Sequence, residues 1–194
     1  MTVRDRDGSR AAGGFPGQIQ PRLVSRHLFA EAEPVLHRDA GTLQVWLLRT
    51  PDHTPDLRSG RRILDEEERE RADAFVRDAD RERYLASHIV LRRLLGAYLN
   101  QGPARVAFLR EPCPLCSGPH GRPAVAHGAA PPVHFSLAHS GDLALLAFYG
   151  SPVGIDVEAF PDRGTVGDVE AGLHPRERAE IAALASGGTN VTGS

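Results

Sequence analysis

Two acidic residues at alternate positions of a short apolar segment are the side chains of this chain best suited to metal chemistry: Gly154-Ile155-Asp156-Val157-Glu158. On an extended strand, alternate side chains share a face. Ile155 and Val157 can then enter a core while Asp156 and Glu158 project together from the other side. Strand rise puts their Cα atoms about 7 Å apart, near enough for both carboxylates to converge on one hard cation. Magnesium suits such a pair, because it usually takes one or two carboxylates and completes its shell with substrate phosphates and water. Taken alone, the pattern is more often an amphipathic strand with a solvated acidic face.

Three further groups have chemical potential. In His134-Phe135-Ser136-Leu137-Ala138-His139-Ser140-Gly141, alternation puts His134, Ser136 and Ala138 on one face and Phe135 and Leu137 on the other. His139 falls where the strand enters a turn, a place where an imidazole and nearby amides can hold a phosphate; a plain hairpin with two ordinary histidines fits equally. In Gly121-Arg122-Pro123 the glycine permits close backbone approach and the arginine offers a two-point grip on an anion, although a tripeptide alone says little. Cys113-Pro114-Leu115-Cys116 followed by His120 resembles half of a zinc knuckle. A structural zinc on Cys113 and Cys116 would need a fourth ligand, for which His127 is nearest; the simpler reading is a reduced cysteine pair in a proline-braced loop.

These residues need elements to position them. The chain has 194 residues, 41% hydrophobic and 25% charged, a globular mixture with enough length for one domain or two small ones. Leu43–Leu48 reads as a buried strand, Pro51–Gly60 as a loop, and 64–100 as helix. Asp65 is the N-cap with Glu66, Glu67 and Glu68 in the first turn, and Asp78-Ala79-Asp80 separates two helices. The second helix has Leu91, Leu94, Leu95 and Tyr98 at i, i+3, i+4, i+7, with Tyr84 a heptad earlier; Asn100, Gly102 and Pro103 end it. Val106–Leu109, Val133–Leu137, Leu143–Tyr149 and Val153–Glu158 read as strands, the last three joined by turns at Ser140-Gly141-Asp142 and Gly150-Ser151-Pro152. The expected fold is α+β: an antiparallel meander packed by the long helix. A final helix is expected from His174 to Ala185. Residues 1–23 read as a disordered leader, 24–158 as the main domain, and 159–194 as the start of a second subdomain with a flexible tail.

Composition excludes some partners. Net charge is −2, so no global basic field points to nucleic acid or an anionic membrane, and no apolar run is long enough to span a bilayer. Met1–Gln20 lacks the apolar stretch of a secretory signal, and two cysteines fit a reducing cytoplasm. All 23 basic residues are arginine, so every basic phosphate contact falls to a guanidinium.

In combination, order and spacing, these pieces resemble the surfactin-type 4'-phosphopantetheinyl transferases of the holo-acyl-carrier-protein synthase superfamily. That family carries Gly-Lys-Pro, then a strand ending in Ser-His-Ser, then Gly-(Ile/Val)-Asp-(Ile/Val)-Glu. The counterparts here start at Gly121, Ala138 and Gly154, while Phe75, Arg83, Leu85 and Arg92 resemble the family's helical signature. The resemblance spans roughly 43–185. It implies transfer of phosphopantetheine from coenzyme A to a serine of an acyl, peptidyl or aryl carrier protein, releasing 3',5'-ADP. It further implies magnesium on Asp156 and Glu158, and phosphate contacts from His139, Arg122 and Arg83, with Arg71 a further candidate.

Two departures stand out. Ala138 replaces the first serine of Ser-His-Ser. The family's later Trp-x-x-Lys-Glu-Ala, whose Glu is a metal ligand or base, has no counterpart, since the chain has no Lys and its single Trp is Trp46. The second half of the pseudo-symmetric fold is therefore expected to be incomplete, with no catalytic base assignable. Two rivals stay open: a non-catalytic remnant that binds coenzyme A or a carrier protein, and a small zinc-stabilised interaction domain around Cys113 and Cys116.

Overall fold

Alternating apolar side chains over two six- to seven-residue segments build the centre of the sheet. In this computed structural model, residues 21–25, 42–126 and 133–187 are described, and every structural statement refers to them. The strands are β1 (Arg22–Leu23), β2 (Gln44–Arg49), β3 (Phe108–Arg110), β4 (Pro123–Val125), β5 (His134–Ser140) and β6 (Leu143–Tyr149). The helices are α1 (Leu57–Gly60), α2 (Glu66–Asp73), α3 (Asp78–Leu99), α4 (Arg163–Gly172) and α5 (Pro175–Gly187). One sheet runs in the order β1-β2-β6-β5 and a second pairs β3 with β4. β2, β6 and β5 pair antiparallel, with Trp46 and Leu137 both opposite Leu146, whereas β1 joins β2 in parallel. Gly141 makes the β5–β6 turn at a φ of +55°, a backbone state that glycine adopts without strain.

Period-two alternation divides the sheet into two faces. Trp46, Leu48, Phe135, Ala144, Leu146 and Phe148 form one core with Leu85, Ile89, Leu94, Leu95 and Tyr98 of α3. The polar ends of its aromatics are matched: Tyr98 Oη donates to Gln44 Oε1 at 2.6 Å and receives Trp46 Nε1 at 3.2 Å. Val45, Leu145 and Ala147 on the other face are packed by Leu43, Leu47, Val153, Ile155 and Val157. Helix α3 ends at Asn100, left-handed at φ 52° and ψ 48°, as the Asn-Gly-Pro signal predicts.

Four expectations need correction. The break between the helices is 74–77; Asp78 and Asp80 instead form the acidic first turn of α3, where the helix dipole favours them. The segment expected as a loop at 51–60 is helical, a 3₁₀ stretch Thr50–Asp56 running into α1. The sheet is mixed, because β1 is parallel. Val153–Glu158 is not a ladder strand: apart from a single bridge at Gly154 it is extended and unpaired. Its side chains alternate as expected all the same, with Ile155 and Val157 on the sheet and Asp156 and Glu158 exposed.

The described residues divide into two compact units at the Glu158–Ala159 junction. In the second unit, Asp162 caps α4 by accepting the Thr165 amide at 2.8 Å, and α5 starts at Pro175. Helix α4 has no counterpart among the expected elements, because Gly164, Gly167 and Gly172 obscure its periodicity. The expected leader and tail, apart from residues 21–23 and the stretch up to 187, lie outside the described residues.

The first unit is fastened by a buried ion network. Asp65 and Glu68 form a capping box on α2: the Glu68 amide donates to Asp65 Oδ1 at 2.9 Å and the Asp65 amide to Glu68 Oε2 at 3.0 Å. Arg92 of α3, 1% exposed, donates through Nε to Glu68 Oε2 at 2.6 Å, through Nη2 to Asp65, and through Nη1 to the Val106 carbonyl at 2.8 Å. Burial raises the Glu68 carboxyl, but the His88 hydrogen bond, the Arg92 charge and the Asp65 amide outweigh it and leave it below its ordinary value. A depressed carboxyl stabilises the fold above its unfolded value of 4.5, and that stability is lost as pH falls through the folded value. Arg92→Ala leaves the buried Glu68 without its guanidinium partner, with only His88 and the Asp65 amide to match it, and should cost about 3–5 kcal/mol in urea denaturation. Glu68→Gln should flatten the loss of stability expected of the wild type below about pH 4.5.

Candidate functional site

An open cleft of about 1410 Å³ lies among α2, α3, the β3–β4 hairpin, strand β5 and Val153-Gly154. Its walls follow from the packing. The Arg92 network ties α2 to α3, β5 is an edge strand of the main sheet, and the β3–β4 hairpin is held by Phe108 against Phe135, ring centroids 5.7 Å apart. Arg71, Arg83, Arg122 and His139, each expected to contact phosphate, all line it.

Their donors differ in availability. Arg83 donates through Nη1 to Asp80 Oδ1 at 3.1 Å, while its Nε is buried with no hydrogen-bond partner among the described residues. An unsatisfied buried guanidinium donor is costly and calls for an acceptor. Arg122 is more fully engaged: Nε and Nη2 grip Glu111 at 2.5 and 2.7 Å, and Nη2 also donates to His134 Nδ1 at 3.0 Å. Its guanidinium is raised by that carboxylate, and the pairing fixes its plane beside the cleft. His139 shares the parity of Phe135 and Leu137 but stands exposed at the strand's end. Arg71 is exposed on α2. Tyr84 adds a neutral donor, since burial and the Glu68 charge push its hydroxyl up to about 12.

Acidic groups line the cleft as well, among them Asp65, Glu67, Glu68 and Asp80. Arg92 offsets Asp65 and Glu68, and Arg83 is paired with Asp80. The field open to a ligand is thus set by individual guanidinium edges, not by a uniform basic wall.

Asp156 and Glu158 are not part of the lining, although Gly154, two residues before Asp156, is. Both are exposed, and Asp156 Oδ1 accepts the Val157 amide at 2.9 Å, leaving Oδ2 open. Both are carboxylate oxygen donors, the ligand type that hard divalent cations take, on one segment whose Gly154 reaches the cleft. Arg92, expected within the helical signature, is buried structural charge and does not line the cleft. Glu111 and His134 escaped sequence reasoning as partners of Arg122, because an irregular loop separates them and only the hairpin register brings them together.

Cys113 Sγ, Cys116 Sγ and His120 form a third cluster, their ligand atoms all within 4.8 Å of one another. Backbone amides of Leu115 and Cys116 hold the Cys113 thiol below its ordinary value. His127 lies outside the described residues.

Residues 49–150 match the family model described as 4'-phosphopantetheinyl transferase, N-terminal. The chain belongs to that family of N-terminal domains. It is 30% identical over 119 residues to a phosphopantetheinyl transferase of Thraustochytrium sp., covering 59% of this chain and 39% of that protein. It is 29% identical over 135 residues to the 4'-phosphopantetheinyl transferase HetI of Nostoc sp., covering 69% and 54%. The chain thus spans about half or less of the curated relatives it matches. No helix among the described residues is long and apolar enough to cross a membrane.

Burial, and then the Arg122 charge, hold His134 below the ordinary histidine value of 6.5, with Glu111 opposing. A depressed histidine stabilises the fold above its unfolded value, and that contribution fades as pH falls towards the folded one. Thermal stability should therefore decline from pH 7 towards pH 5.5 more steeply in the wild type than in His134→Gln; parallel profiles would show that His134 is not a neutral acceptor for Arg122.

Proposed function

We propose that the cleft binds the phosphates of coenzyme A for a surfactin-type 4'-phosphopantetheinyl transferase that modifies a serine of an acyl, peptidyl or aryl carrier protein. The carrying observation is the gathering of Arg71, Arg83, Arg122 and His139 on one cleft, with a buried Arg83 Nε that lacks an acceptor. Family membership over 49–150 supports the reading. Two reduced cysteines suit a cytoplasmic setting.

In this reading Arg83 and His139 donate to phosphate oxygens, and Arg122, oriented by Glu111, presents its remaining Nη1 edge. Asp156 and Glu158 would hold magnesium, which would supply neutralising charge to the pyrophosphate. Fixed guanidinium donors favour departure of 3',5'-ADP because they need not reorganise as its charge develops. Residues 1–194 carry two of the three acidic groups that the resemblance implies, and no base is assigned. A second reading is that these residues bind coenzyme A or a carrier protein without transfer.

Arg83→Ala removes a charge-assisted donor worth about 1.5–3 kcal/mol, so coenzyme A should bind about 10- to 100-fold more weakly by calorimetry. Asp156→Ala should abolish the magnesium dependence of that binding. Unchanged affinity in Arg83→Ala would remove the cleft from the reading. Mass spectrometry of an apo carrier protein with coenzyme A and magnesium separates the two functions. Little transfer is expected from residues 1–194 alone, with transfer gained when a polypeptide bearing Trp-x-x-Lys-Glu-Ala is joined to them. Binding without transfer in both would favour the second reading.

A further inference from the structure

The loop joining β3 to β4 is ordered without a core of its own. Leu115, its one large apolar side chain, is 95% exposed, and Cys116 and His120 are exposed as well. The loop nevertheless holds a tight conformation: the Cys113 amide donates to the Gly118 carbonyl at 2.8 Å, the Ser117 amide to the Cys113 carbonyl at 2.8 Å, and the His120 amide to the Gly118 carbonyl at 2.9 Å. Ser117 occupies the left-handed region at φ 57°, which a serine adopts at a cost. A short segment that buries so little apolar surface needs another staple.

The side chains that this conformation gathers are soft metal ligands. Cys116 Sγ lies 3.0 Å from His120 Nε2, and Cys113 Sγ is within 4.8 Å of both. The two thiols are not joined as a disulfide. Gly118 makes room for them: a Cβ there would stand 3.0 Å from the His120 ring and 3.4 Å from Cys116 Sγ. Beyond His120 the loop closes on itself. The Gly121 amide donates to the Glu111 carbonyl at 2.9 Å and the Glu111 amide to the Arg122 carbonyl at 3.0 Å. A Cβ on Gly121 would come within 2.2 Å of that Glu111 oxygen, so only glycine allows the closure.

We propose that Cys113, Cys116 and His120 bind one zinc ion, with a water molecule in the fourth position, and that this ion fixes the loop presenting Arg122 to the cleft. Two thiolates and an imidazole select a borderline-soft tetrahedral ion and not magnesium, which requires oxygen donors. Asp156 and Glu158 supply no ligand to this site. Only its effect on Arg122, and so on coenzyme A, rests on the reading proposed above.

The test uses residues 1–194, purified under reducing conditions and reconstituted with zinc. Elemental analysis should find about one zinc per chain. Cobalt in its place should give a thiolate-to-cobalt charge-transfer band and tetrahedral visible bands. The double variant Cys113→Ser/Cys116→Ser should lose both metals while keeping the far-ultraviolet dichroism of the β2–β6–α3 core. His120→Ala, which retains both thiolates, should keep the charge-transfer band and bind zinc about tenfold or more weakly. It serves equally if the double variant does not fold. Substoichiometric zinc after reconstitution, a Cys113–Cys116 disulfide formed in preference to metal, or zinc retained by the double variant would each overturn the site. Chelation that strips zinc and weakens coenzyme A binding supports the positioning role; chelation that leaves affinity unchanged overturns that role alone. A cleft that never binds coenzyme A leaves the zinc count intact and counts against the earlier reading.

Discussion

A guanidinium with no access to water has to be matched where it stands, and Arg92 organises its surroundings accordingly. Its donors reach the capping box of α2, the Val106 carbonyl that follows α3, and, across 5.1 Å, the Phe108 ring of β3. Helix α2, helix α3 and the segment leading into β3 are thereby fixed around one charge. The arrangement also explains why α2, short and weakly amphipathic, is helical: eight residues are too few for stability in isolation, and tertiary contacts supply the rest. Replacing the network with apolar residues of similar volume could preserve stability, yet it would give up the directional bonds that set the angle of α2 on α3.

That angle shapes one wall of the cleft, and three arginines in and behind that wall differ in state. Arg92 is wholly internal, Arg122 is oriented by Glu111 and His134, and Arg83 keeps one buried donor unmatched. In a chain without lysine, these distinctions are the differences among its basic groups. A guanidinium already held by a carboxylate is planar and pre-aimed, so less conformational entropy is lost when an anion arrives.

Sequence made much of this legible where short-range physics decides. The Asp65 cap, the Leu91-Leu94-Leu95-Tyr98 stripe, the Asn100 stop and β6 all follow from patterns within one element. Failures occur where partners are remote. Period-two alternation at 153–158 correctly sorts Ile155 and Val157 from Asp156 and Glu158, but alternation reports facing and not pairing, so a ladder strand was expected where only a bridge forms. Parallel addition of β1 depends on a connection that no local signal describes. The motif arginines and His139 were recognisable as a set through family resemblance, whereas the Glu111–Arg122–His134 contact required the register of an irregular hairpin.

The extended segment after β6 has a consequence for motion. It is attached to the second face of the sheet by the half-buried Val153, Ile155 and Val157, the bridge at Gly154, and the Ile155 amide bonded to Ser136 Oγ at 3.2 Å. Such a strap can lift without unfolding the core beneath α3, because its contacts are few compared with those of the main cluster. Its backbone amides should exchange with solvent through local opening, at a free energy below that of global unfolding. Since Asp156 and Glu158 ride on it together, any ligand that engaged both would hold the strap down, and amide protection over 153–158 would report that occupancy.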